Sequence, residues 1–353
     1  MYFKGYGYTS FAPDGFTRGA ERSALEELRA QTASTWVALT VFEFQSSPAS
    51  IDIAPNASGI NPVTGRAWHA TSSMDDLRTA VRDARVHGLK IMLKPQVDCY
   101  TGQWRGLIRP DTSGRWFHAY ASMILRYAAF AEEEGIEMLC IGTELASATV
   151  PEYTSEWQSI IGKIRSVYHG MLTYSSNWSG VMSAEGEYEQ IGFWRELDYL
   201  GVSGYFPASR PHADALPSES ETERLLHLHG ARLSAMASRW GRRVILTEAG
   251  CQSVSGALSN PAAYEPGAST GAKKDEAAQA CYYSAILRYF GNRPWCAGIF
   301  WWNWESTQSA TEATNYTCRN KAAARVLKRF YQTGQTEFFT GFEAPPPEPS
   351  QGS

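Results

Sequence analysis

Short apolar runs alternate with amphipathic stretches along almost the whole chain. Strand-like runs occupy residues 4–10, 35–44, 89–98, 137–144, 171–178, 198–207, 243–249 and 297–304. Their length and their β-branched and aromatic content are those of buried strands. Helical spacing of apolar residues fills 20–33, 74–87, 115–134, 152–168, 188–197, 221–240, 273–290 and 320–332. In 273–290, for instance, Ala277, Ala280, Cys281, Ala285 and Leu287 fall near one face. Eight strands, each followed by a helix, predict parallel βαβ units with right-handed crossovers, and an α/β fold closed as a (β/α)8 barrel. A doubly wound open sheet is the alternative, but the first strand carries no GxGxxG phosphate loop.

Loop lengths indicate which end of this barrel is used. Helix-to-strand connections are tight, as at His87-Gly88 and His169-Gly170, whereas strand-to-helix connections run long at 45–73, 99–114, 250–272 and 305–319. Long loops in a compact domain are usually functional, and in a barrel they gather at the carboxyl ends of the strands. The chain reads as one catalytic domain over 1–340 and a Pro-rich, flexible tail over 341–353.

Composition removes several function classes. The 353 residues are 43% hydrophobic and 13% aromatic, enough for a large core. With 32 basic against 36 acidic residues there is no basic stripe for nucleic acid, and no apolar stretch is long enough to cross a bilayer. The opening Met1-Tyr2-Phe3-Lys4-Gly5 lacks the basic-then-apolar run of a secretory leader. The expected location is therefore the cytoplasm, or the exterior if a leader has been removed. Six scattered cysteines form no CxxC pair and seven histidines no HExxH-type pair, so free structural thiols, no metal and no cofactor are expected.

The chemistry lies at the strand ends. Strand four ends Ile141-Gly142-Thr143-Glu144 and strand seven ends Ile245-Leu246-Thr247-Glu248. A barrel brings both glutamates to one mouth, where two facing carboxylates suit glycoside hydrolysis. The plainer reading is that each caps a helix or pairs with a base. Strand alternation puts Trp302 and Trp304 on one face and Trp301 on the other, so the first two are candidates for stacking on sugar rings. Lys94, Gln96 and Asp98 alternate out of strand three, and Asn177 and Trp178 end strand five; all are candidate hydroxyl or ring binders. Glu43 is either a third acidic group or an ion-paired structural one. Trp68, Trp104 and Arg105 ride on the long loops, where aromatics would stack on sugars away from the reacting bond.

Several segments together carry a resemblance. Lys94-Pro95-Gln96-Val97-Asp98, Trp104-Arg105-Gly106, Ile141-Gly142-Thr143-Glu144-Leu145, Gly201-Val202-Ser203-Gly204-Tyr205-Phe206-Pro207, Thr247-Glu248-Ala249-Gly250 and Trp301-Trp302-Asn303-Trp304 occur in order between about residues 4 and 331. They resemble glycoside hydrolase family 113, known for β-1,4-mannanases, within the clan of retaining barrel glycosidases. The resemblance implies Glu144 as acid/base, Glu248 as nucleophile, Tyr205 beside Glu248, and Trp302 as the floor next to the scissile bond. It implies a β-linked oligo- or polysaccharide as partner. There are departures: Thr143 replaces the Asn usual before the acid/base, Glu43-Phe44-Gln45 holds no strand-two Arg, and Ser203 precedes Gly204-Tyr205 without the usual His. Cleavage of another β-linked glycan, a non-catalytic carbohydrate-binding barrel, and a barrel enzyme of metal or phosphate chemistry are the alternatives.

Overall fold

Eight parallel strands close into a barrel in the computed structural model, which describes residues 2–179, 186–211, 215–263, 273–308 and 312–341. The strands are β1 (Phe3–Thr9), β2 (Trp36–Gln45), β3 (Lys90–Cys99), β4 (Met138–Thr143), β5 (Met171–Asn177), β6 (Leu200–Ser203), β7 (Val244–Glu248) and β8 (Cys296–Glu305). Each pairs with the next, and β8 returns to β1. Around them run α1 (Gly15–Glu21), α2 (Ala24–Thr32), α3 (Met74–Val86), α4 (Arg115–Glu133), α5 (Thr154–Arg165), α6 (Glu187–Gln190), α7 (Glu219–Trp240), α8 (Glu276–Phe290) and α9 (Ala322–Thr333). The fold is the (β/α)8 barrel that the alternation predicts. The tail beyond residue 341 lies outside the described residues.

Three elements differ from the sequence reading. The helix expected at 20–33 is split into α1 and α2 because Ser23 sits at φ 55°, left-handed backbone that a right-handed helix cannot continue through. The helix expected at 188–197 shrinks to the single turn of α6 and a 3-10 turn at Trp194–Glu196. Between them Gly192 presses on the start of α5, where a Cβ would stand 2.5 Å from Thr154 Oγ1. The strand expected at 198–207 is shorter, running only from Leu200 to Ser203, with Gly204 N–H closing the ladder to the carbonyl of Glu248 at 2.7 Å.

Along the barrel axis the interior changes character. At the amino-terminal end Phe3, Trp36, Met92, Met138 and Phe300 form an apolar plug, with the Phe3 ring edge-on to Trp36 and Tyr199 at 4.9 and 5.0 Å. Higher up, small hydroxyls replace bulk: Ser175 Oγ lies 3.0 Å from Ser203 Oγ and 2.6 Å from Thr247 Oγ1. The plug closes the bottom and the small side chains leave room above it. Two β1 glycines admit the large rings of β8. A Cβ on Gly5 would fall 2.3 Å from the Phe300 ring, and one on Gly7 would touch the Trp302 ring at 3.3 Å. Outside the strands a second apolar layer seats the helices, as where Tyr283 of α8 stacks on Trp301 at 3.8 Å.

Gly5→Ala is therefore expected to cost about 1–3 kcal/mol in urea unfolding through overpacking of the plug. Combining it with Phe300→Leu should give less than the summed loss, because the smaller side chain vacates the clash. Strict additivity in the double-mutant cycle would contradict this packing.

Candidate active site

A cavity of about 620 Å³ opens at the carboxyl ends of the strands, floored by strand-end residues and walled by the long loops. Glu248, the last residue of β7, stands in it because that strand carries a bulge. Val202 lies opposite Leu246 but Ser203 lies opposite Glu248, so β7 passes two residues across one of β6. Thr247 bonds to Ser175 inside the barrel, and the extra residue brings Glu248 inward as well. Its Oε1 pairs with the Lys94 ammonium and lies 3.4 Å from Gln96 Nε2, while Tyr205 donates its hydroxyl to Oε2 at 2.7 Å. Burial and the Glu248 charge push the Tyr205 pKa up, which keeps that phenol a donor.

Glu144 follows the end of β4, where a second irregularity re-aims the chain. Cys140 lies opposite Thr173 and Thr143 opposite Ser175, three residues of β4 spanning two of β5. Glu144 itself takes left-handed backbone at φ 53°, its N–H donating to the Ser175 carbonyl at 2.8 Å. Trp104 Nε1 donates to Glu144 Oε2 at 3.2 Å. Burial raises the Glu144 pKa above the usual carboxyl value, and the charge of Glu248 raises it further, against smaller opposing effects of Arg105, Trp104 and Lys94. The two carboxyl groups thus have opposite surroundings. One is paired with a cation; the other is desolvated and faces a like charge.

The remaining candidates divide. Gln96, Asp98, Asn177, Trp178 and Trp302 all line the cavity. Lys94 does not reach it as a free hydroxyl binder; at 1% side-chain exposure it lies beneath, spent on Glu248 and 5.6 Å below the Trp302 ring. Trp104 lines the cavity at Glu144 itself rather than at a distance from it. Trp304 is a correction: it is fully buried on the helix side, edge-on to Tyr6 at 5.9 Å, with the Arg319 guanidinium 4.3 Å from its ring. The reason is a third bulge, since Tyr6 pairs with Trp301 and Tyr8 with Trp304, so the alternation slips by one residue after Trp302. The peptide between Trp302 and Asn303 is cis.

Loops complete the walls. Trp68 and Arg105 line the cavity, Arg105 held by Asp98 at 2.7 Å. His69 and Tyr316 line it too, and sequence spacing gave neither away. Burial lowers the His69 pKa, keeping its imidazole neutral against Phe11 at 4.3 Å. Tyr316, from the β8–α9 loop, sets its ring 6.1 Å from that of Tyr205 and bonds the carbonyls of Pro261 and Ala263 at 2.7 Å. Glu43 lies elsewhere, buried in an ion pair with Arg126 and accepting from Tyr127 at 2.9 Å, which is its structural reading. All six cysteines are free and buried. Among the described residues no three His, Cys, Asp or Glu side chains converge on one point.

A (β/α)8 barrel with two glutamates of opposite environment in an aromatic-walled cleft is the frame of a sugar-cleaving enzyme. The sequence profile of Glycoside Hydrolase Family 113 matches residues 5–321, and the chain belongs to that family. It is a glycoside hydrolase. Among solved structures, a complex of a family 113 β-1,4-mannanase aligns over 94% of this chain and 99% of its own at 24% identity, TM-score 0.78. The family 113 β-mannanase AaManA from Alicyclobacillus acidocaldarius, in complex with ManMIm, aligns over 94% and 97% at 25% identity, TM-score 0.77. A β-glucuronidase from Ruminococcus gnavus shares the fold at 14% identity and TM-score 0.59, over half of its own length. No curated protein matches by sequence.

Lys94→Met leaves Glu248 buried beside its remaining donors without a countercharge. This is expected to cost about 3 kcal/mol in urea unfolding at neutral pH. Lys94→Met combined with Glu248→Gln should recover most of that loss. A double variant as unstable as the single one would mean that Lys94 stabilises through packing alone.

Proposed function

We propose that this enzyme is a retaining β-1,4-mannanase working by double displacement, with Glu248 as nucleophile and Glu144 as acid/base. The observation that carries the assignment is the contrast between the two carboxyl groups: Glu248 paired with Lys94 and Tyr205, Glu144 desolvated with its pKa raised. Glu248 attacks the anomeric carbon as a carboxylate while Glu144 gives its proton to the departing glycosidic oxygen. An ester joins sugar and Glu248, and the reducing-end fragment leaves. Esterification removes the Glu248 charge, and with it one of the causes that raise the Glu144 pKa. Glu144 then accepts a proton from water, which attacks the same carbon and releases Glu248. Two inversions retain configuration.

Around this pair Trp302 offers its ring to the sugar at the reacting position. Gln96 and Asn177 are the neutral groups at the floor suited to its hydroxyls. Trp178 and Trp68 offer further aromatic surface along the walls. Mannan as substrate rests on family membership together with the two β-mannanase structures.

Reducing-sugar release from soluble β-1,4-mannan, β-1,4-glucan, β-1,4-xylan and β-1,3-glucan tests the reading. Mannan is expected to be cleaved fastest, with β-configured product first seen by proton NMR. Faster cleavage of another polymer reassigns the sugar; inverted product removes Glu248 as nucleophile; no release from any polymer favours a binding barrel.

Protonation supplies a separate test. With Glu144 as the acid, kcat/KM should fall on the alkaline side at a pH above the usual carboxyl value of 4.5. Trp104→Phe removes a hydrogen bond that favours the ionised carboxylate, so the Glu144 pKa rises and that limb moves to higher pH. A limb that stays put or moves down would remove Trp104 from the acid's control. Glu144→Gln should lower kcat/KM on mannan about 10³-fold while largely sparing 2,4-dinitrophenyl β-mannoside, whose leaving group needs no proton.

A further inference from the structure

Behind Glu144 lies a third glutamate that neither the cavity nor the proposed chemistry uses. Glu187 opens the single turn of α6 and is fully buried. Three donors converge on it. Tyr174 O–H donates to Oε1 at 2.6 Å, Thr149 O–H to the same oxygen at 2.9 Å, and Asn177 N–H to Oε2 at 2.6 Å. The Tyr174 oxygen in turn accepts Leu145 N–H at 2.8 Å.

We propose that Glu187 is a positioning residue for the acid/base, fixing the Glu144–Leu145 peptide through Tyr174 and the end of β5 through Asn177 N–H. The inference rests on the role given to Glu144 above. Its physical basis is the direction of the donors. Backbone N–H groups cannot reverse, so Asn177 must donate to Oε2 and Leu145 must donate to the Tyr174 oxygen. With Leu145 N–H on its oxygen, Tyr174 directs its own proton at Oε1. Both oxygens of Glu187 therefore accept, which a carboxyl group does in either protonation state and a carboxamide cannot; burial raises its pKa to about 8, against the opposing effect of these donors. The held peptide is the one that follows Glu144, whose left-handed backbone at φ 53° sets the direction of the acid's side chain.

The pocket behind Glu144 is built around this arrangement. Gly142 makes room for the Tyr174 ring, since a Cβ there would stand 2.8 Å from it. Trp157 and Phe193 hold that ring edge-on at 5.5 and 5.6 Å. Trp194 of the 3-10 turn after α6 donates Nε1–H to the Tyr188 carbonyl at 2.9 Å, anchoring the turn that carries Glu187. The short α6, where the sequence pattern calls for a longer helix, thus delivers a carboxyl group beneath two adjacent strand ends of the active site.

The test compares Glu187→Gln and Tyr174→Phe with wild type on two substrates, a manno-oligosaccharide and 2,4-dinitrophenyl β-mannoside. Aryl β-glucoside and β-galactoside are run beside them, so that a wrong sugar assignment shows as wild-type preference for another glycoside and the comparison moves to that series. If Glu187 acts through the acid, kcat/KM on the oligosaccharide should fall about 10–100-fold, less than the roughly 10²–10⁴-fold that loss of the acid itself would cost. On the dinitrophenyl glycoside it should stay within about threefold, since its first step needs no proton. A purely structural role would lower both substrates together, and that outcome overturns the proposal. So does wild-type oligosaccharide activity in both variants. Should Glu187→Gln give no cooperative thermal melt, Tyr174→Phe carries the test, because it keeps the ring and the Glu187 carboxyl group and loses only the hydroxyl that joins Glu187 to Leu145.

Discussion

The buried ion pair between Lys94 and Glu248 is the interaction on which the upper half of the barrel depends. A lysine and a glutamate can share a desolvated interior only when each neutralises the other and further donors satisfy the carboxylate. Gln96 and Tyr205 approach the same group. Two strands on opposite sides of the barrel are thereby held to one register, and the negative charge of Glu248 is fixed where Glu144 feels it. The raised pKa of Glu144 follows in part from that charge. Below the pair the interior is apolar and closed; above it the side chains are polar and the space is open.

Three bulges at the rim convert a regular barrel into a site. On β4, β7 and β8 one strand carries an extra residue against its neighbour near the carboxyl end. A regular ladder would turn alternate residues outward and put Glu248 among the helices. With the extra residues, Glu248 faces the cleft, Glu144 leaves β4 at its mouth, and Trp302 lies over Gly7 in the opening. The same slip carries Trp304 away to the helix layer. A strand end gains a functional side chain at the cost of ladder regularity, which is the usual place and use of a bulge.

Two buried glutamates outside the cleft show how differently one residue type serves. Glu43 is matched by the cation of Arg126 and a tyrosine hydroxyl on α4, and it braces that helix against β2. Glu187 is satisfied by three neutral donors instead. Two of those donors belong to segments that end in the cleft. Both glutamates help hold the barrel wall, but only Glu187 is wired to the residues that flank the proposed acid.

The fold was legible in the sequence because its cause is local and repeated. Apolar runs of strand length alternating eight times with helical periodicity have one economical closure, and long loops on one side mark the working face. The paired glutamates were legible for the same reason, since each ends an apolar strand. What the sequence left undecided depends on which strands touch and in what register. Lys94 reads as a free polar strand residue until β3 and β7 face each other across the barrel, where it pairs with Glu248. Trp304 reads as a partner of Trp302 because alternation assumes an unbroken ladder, and only the pairing of β8 with β1 reveals the extra residue. His69 and Tyr316 carry no motif and reach the site on loops, and Glu187 lies behind it on one helical turn; packing sets the course of these segments, so the tertiary structure alone brings them there.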